Sequence, residues 1–125
     1  MTIEGLKWLN TQLESLNIPY EYMMWKSDVP DTYFVGQYSE TVSIEEGGEV
    51  DSDFTLIGTT KDSYLLLEEY KEVIEKGFPD YGLTEVLSNG WGIAVMFDSA
   101  FPIPAIEEGV YRINIVLKVK EWKGE

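Results

Sequence analysis

The sequence predicts an α+β fold: a single antiparallel sheet of about four to six strands with two helices packed on one face. Three observations predict it. Two segments space their apolar residues at three and four, the period of a helix with one buried face. Other segments are rich in β-branched and aromatic residues, or alternate apolar with polar, as half-buried strands do. The strand-like segments fall in pairs joined by turn-forming residues, which makes hairpins and hence antiparallel pairing.

Leu6, Leu9, Leu13 and Leu16 form the first apolar stripe and predict a helix over Ile3–Ser15, which Pro19 prevents from continuing far. Trp8 lies beside the stripe. Tyr20–Trp25 reads as a short aromatic strand, and Asp28-Val29-Pro30-Asp31 as a turn. Tyr33–Ser43 has strong β propensity, with Gly36 suggesting a bulge or a close backbone approach. Glu45–Asp53 is an acidic, glycine-containing loop before a returning strand at Phe54–Thr59. This makes an open hairpin with a loop longer than the usual two to five residues or so, a length commonly tied to function.

Asp62 or Ser63 caps a second helix whose inward stripe is Leu66, Tyr70, Val73 and Ile74, flanked by Leu65 and Leu67. Glu68 and Glu69 precede Lys71 and Lys76, in keeping with the helix dipole; Gly77 suits a C-terminal cap, with Pro79 just beyond. Leu83–Leu87, Ser88-Asn89-Gly90 and Trp91–Phe97 form the clearest hairpin. Asn89-Gly90 suits a tight primed turn, because both residues tolerate positive φ. Pro102-Ile103-Pro104 marks an extended connector. Tyr111, Ile113, Ile115, Leu117 and Val119 then alternate with Arg112, Asn114, Lys118 and Lys120, a long half-buried strand whose polar side faces water or a neighbouring subunit. No repeat or linker divides the chain, so residues 1–125 read as one α+β domain.

Composition narrows the chemistry. With no cysteine, disulfides, thiolate metal sites and thiol nucleophiles are excluded. With no histidine, Ser-His-Asp hydrolysis, imidazole-bound zinc and imidazole proton shuttling fall as well. The first residues lack the basic start and apolar run of a signal peptide, and no stretch approaches the ~20 apolar residues of a membrane span, so cytoplasmic synthesis without a membrane partner is expected. Net charge is −14, from 23 acids and nine bases, which repels a polyanion.

The acidic cluster Glu45, Glu46, Glu49, Asp51 and Asp53 suggests a divalent cation, but Phe54 follows where a calcium loop needs its spaced glycine and glutamate. A solvated acidic loop is the better reading. Gly47-Gly48 sits among acids, which would repel phosphate. Two carboxylates working as a glycosidase pair would need a cleft that the sequence does not indicate. No metal, cofactor or catalytic residue is expected, and the chain reads as a binding protein rather than an enzyme. Of Trp8, Trp25, Trp91 and Trp122, the last stands past the long strand, between Glu121 and Lys123, and suits an interface anchor as well as ordinary packing.

Several segments resemble small proteins of Gram-positive prophage tail modules. They are Tyr33-Phe34-Val35-Gly36-Gln37-Tyr38, Phe54 with Gly58-Thr59-Thr60, Leu67-Glu68 with Lys71, Pro102-Ile103-Pro104, and Ile115–Lys123. The element order is also similar to that of tail terminator proteins (tail completion, or tail-to-head joining) of long-tailed phages. The resemblance implies a virion structural protein of the tail or neck, made in the host cytoplasm. It implies a ring, a hexamer in that family, that joins the tail tube to the head connector, with DNA only as passing cargo. The strong acidity departs from the family; a negative lining would let DNA slide without sticking. No binding residue carries over by motif.

The charge pattern supplies its own interface candidate. Glu45, Glu46, Glu49 and Asp51 on one copy can meet Arg112, Lys118 and Lys120 on the next, with Trp122 as an anchor. The plainer reading is a solvated loop and an ordinary strand face. The competing function is an acidic regulatory or inhibitor module that binds a basic protein partner.

Overall fold

The computed structural model describes residues 1–26, 28–42, 48–105 and 107–124. Helix α1 spans Ile3–Ser15, as the leucine spacing predicts. Thr2 caps it, its hydroxyl accepting from the Gly5 N–H at 3.0 Å. Leu9 and Leu13 are fully buried, while Leu6 and Leu16 are half-buried at the margins of the stripe.

The aromatic segment that follows is shorter than expected. Strand β1 covers Tyr20–Tyr22 only, because Met23 takes a left-handed φ of 70° and turns the chain away. β1 runs parallel to β2 (Thr32–Val42), so the sheet is mixed rather than purely antiparallel. Parallel neighbours need a crossover instead of a tight turn, and the segment from Met23 to Asp31 supplies a short one. β2 then pairs antiparallel with β3 (Val50–Thr60) without interruption from Thr32↔Thr60 to Val42↔Val50. Gly36 therefore carries no bulge. It is instead the close approach: a Cβ there would stand 2.6 Å from Phe54 Cζ and 2.8 Å from Tyr20 Cε1. Asp51 and Asp53, expected in the loop, lie inside β3.

Helix α2 (Tyr64–Gly77) is capped by Ser63, whose Oγ accepts from Leu65 N at 3.3 Å. Its buried stripe is rotated from the expected one. Leu67 and Ile74 are fully buried and Tyr70 half-buried, while Val73 is exposed. Four apolar residues in succession, from Tyr64 to Leu67, left the phase of the stripe ambiguous; packing of Tyr70 edge-on against Phe34 fixes it.

Strands β4 (Leu83–Val86) and β5 (Gly92–Ile103) form the expected hairpin, with a different turn. Among Ser88, Asn89 and Gly90 only the glycine has positive φ, 86°. Gly90 N donates to Leu87 O at 2.9 Å, and Leu87 N to Trp91 O at 2.7 Å. This is the three-residue loop, in which only the last residue must be left-handed, rather than a primed two-residue turn. β5 extends through Pro102, which the sequence placed in a connector, and it bulges at Asp98 between Phe97 and Ser99. β6 (Tyr111–Trp122) is the long alternating strand.

The sheet order is β1-β2-β3-β6-β5-β4, so α2 carries the chain over β6 and β5 to the far edge. Both helices lie on one face. That face holds the core: Phe34, Phe54, Leu56, Ile93, Val95, Ile113, Ile115, Leu117 and Val119 meet Leu9, Leu13, Leu67, Ile74 and Phe78. Among the described residues no helix covers the other face. Among the described residues no helix is long and apolar enough to cross a membrane.

Candidate functional site

The helix-free face carries the charged residues singled out in the sequence. Residues opposite one another in neighbouring strands share a face. Asp53 stands across from Lys118, and Asp51 from Lys120, in the central β3–β6 ladder. Lys118 Nζ lies 3.0 Å from Asp53 Oδ1, and Lys120 Nζ reaches Glu49 Oε1 at 3.8 Å. Hydrogen bonding to Asp53, then its charge, holds the Lys118 ammonium above the usual lysine range. Asp51, Ser52, Asp53, Lys118, Val119 and Lys120 line an open cleft of about 390 Å³. Asp51 Oδ1 is shielded from solvent and has no hydrogen-bond partner among the described residues.

Trp122 is on the same face, half-exposed, with its indole laid over Gly92. A Cβ on that glycine would stand 2.5 Å from Trp122 Cζ2. Arg112 is at the opposite end of β6, beside Thr59 and Ile103, and joins none of these charges. The structure thus gathers Glu49, Asp51, Lys118, Lys120 and Trp122 at one end of the face and leaves Arg112 apart. Glu45 and Glu46 lie outside the described residues, so the interface expected of them has no structural counterpart to report. Among the described residues no three carboxylates converge as they would around a metal ion. The arrangement is a charge-alternating surface in which the lysines already have acidic partners within the chain.

Between the two ends the face is mixed: half-buried Val35, Ile57 and Val116 alternate with Thr55 and Asn114, while Met96 stands across from Lys118. The strand pattern carried the apolar part in Val35 and Val116, but polar neighbours hid it.

One buried carboxylate went unremarked in the sequence. Glu121 is fully buried on the helix face, where its two oxygens accept from Thr2 N at 3.1 and 3.2 Å and from the Thr2 hydroxyl. It sits at the N-terminus of α1, where the helix dipole favours negative charge. Continuing the inward alternation past Val119 would have found it.

No protein-family model matches the chain, and no curated protein matches it in sequence. Solved structures do match in shape. A chain from the virion of a native gene transfer agent particle superposes with a TM-score of 0.67 at 14% identity, covering 91% of each chain. A second solved protein, whose name states no activity, superposes with a TM-score of 0.70 at 14% identity, covering 98% of this chain and 92% of its own. At that identity the likeness shows a shared fold.

Proposed function

We propose that the chain is a non-catalytic structural protein of a phage-type virion. The observation that carries this reading is the fold shared, over nine-tenths of both chains, with a component of a gene transfer agent virion. A helix-free sheet face that mixes half-buried apolar side chains with polar and charged ones supports it, since such a face suits assembly contacts. The finer role we assign is that of a tail terminator or neck component, a ring of copies between tail tube and head connector that DNA passes through. Its place is then the tail or neck of the particle, after synthesis in the host cytoplasm.

Addition of the purified protein to tails assembled without it tests this directly. Electron microscopy is expected to show ring-shaped density at the head-proximal end of each tail. Tails that stay bare at saturating protein, or density along the tube instead of at its end, would overturn the assignment.

A further inference from the structure

We propose that the open edge of β2, from Gln37 to Thr41, is a docking edge for an extended, basic strand of a partner protein. β1 covers only Phe34–Gly36 of β2 before Met23 turns away. Phe34 N donates to Pro19 O at 2.7 Å and Met23 N to Gly36 O at 2.8 Å, so the even-numbered residues of β2 direct their backbone groups away from β3. Alternation then points the N–H and C=O of Tyr38 and Glu40 outward, where among the described residues no strand receives them. Gln37, Tyr38, Ser39 and Glu40 are all exposed. At the corner where β1 ends, Met23 and Met24 are 60% and 64% exposed, flexible side chains suited to an incoming apolar residue.

The opposite side of the sheet is guarded. Phe97 N turns away from β6 to bond Phe78 O at 2.9 Å, and the same alternation carried past the bulge turns the nitrogen of Pro102 toward the open edge. That residue has no N–H to offer, and the bulge at Asp98 disrupts the approach. β4 is short, and the Glu85 carboxylate accepts from Val86 N at 3.3 Å. Exposed edges are ordinarily blunted in this way, so an unblunted one marks a strand-addition site.

Charge identifies the occupant. On the helix-free face Ser39 lies across from Asp53, and Thr41 across from Asp51. A strand added at the usual spacing of about 4.8 Å would place alternate side chains beside Ser39 and Thr41. Lysine or arginine there can extend across β2 to Asp51, whose shielded oxygen lacks a donor among the described residues. A second copy would bring another −14 to a chain of the same charge, and its own Lys118 and Lys120 are held in the middle of its sheet. This inference stands independently of the virion role.

The test uses isotope-labelled full-length protein and two blocked peptides of about eight residues, one alternating lysine with threonine and one glutamate with threonine. The lysine peptide is expected to shift the Tyr38 and Glu40 amides and slow their hydrogen exchange; the glutamate peptide is not. Tyr38→Pro and Glu40→Pro each remove an outward N–H that the β2–β3 ladder does not use, and each should weaken binding at least ~10-fold. Should one fail to fold, the other still decides. Asp51→Asn should weaken binding severalfold. Unchanged Tyr38 and Glu40 amides at about 1 mM lysine peptide, or equal binding of both peptides, would overturn the proposal. So would protection of those amides that grows with protein concentration alone, which would make a second copy the occupant. Each of these results leaves the experiment on tails unaffected.

Discussion

Phe34 can lie flat against the sheet because Gly58, its cross-strand neighbour, has no side chain. A Cβ there would fall 2.8 Å from Phe34 Cζ and 3.0 Å from Ile113 Cγ2, in a core with no room to give. Gly58→Ala is expected to destabilise the fold by about 1–3 kcal/mol, the usual penalty of overpacking, in urea denaturation followed by tryptophan fluorescence. A second residue-scale effect is electrostatic. The Tyr64 hydroxyl donates to Glu68 Oε1 at 2.7 Å, and Lys71 Nζ is 3.0 Å from Oε2. These partners, Tyr64 first, hold the Glu68 carboxyl below its ordinary value, while burial, with help from Glu68, pushes the Tyr64 hydroxyl up to about 12. Because the folded value for Glu68 is depressed, its stabilisation is present above the unfolded pKa and is lost as pH falls through the folded one. Tyr64→Phe should raise the Glu68 pKa toward 4.5, read by NMR titration of its side-chain carboxyl; an unmoved titration would count against the hydrogen bond.

At the scale of elements, the rotated stripe of α2 has a direct mutational consequence. Leu67→Ala empties a fully buried site and is expected to cost about 2–5 kcal/mol, whereas Val73→Ala should stay within about 1 kcal/mol. Equal losses in thermal denaturation would restore the stripe expected from the sequence. The elements themselves were legible. Leucine spacing and Pro19 placed α1, and strict alternation placed β6, because each has a clear period and a terminator. What escaped the sequence depended on neighbours. The register of α2 was hidden by a run of apolar residues with no period. The early end of β1 is set by a backbone torsion at Met23, and nothing about a methionine announces one. Pro102 lies in a strand because its ring faces an edge, and edges are a property of the sheet. The candidate site was half legible. The sequence marked Asp51, Lys118 and Lys120 as charged, and only the β3–β6 register shows that their end of the face is already paired within the chain.

For the whole molecule, that internal pairing decides how salt acts on assembly. If copies were held mainly by acidic loops meeting basic strands, screening would loosen them. With Lys118 and Lys120 already engaged, repulsion between bodies of charge −14 outweighs any attraction between opposite charges on different copies. Self-association, where it occurs, should therefore strengthen from about 50 mM to about 500 mM salt, as the screening length falls from above 10 Å to a few ångströms. Sedimentation velocity at both salt concentrations checks this, and weaker association at high salt would return the contact to intermolecular ion pairs. The sheet order also has a kinetic consequence. β2–β3 and β5–β6 are hairpins that can form from local chain, but the seam between them joins Phe54 to Leu117, on the order of sixty residues apart. Its closure carries a large loop entropy, and α2 has to be laid across both halves before the seam can shed water. Refolding should accordingly take milliseconds to seconds rather than microseconds, with the two hairpins as early structure and the β3–β6 seam as the late, rate-limiting event.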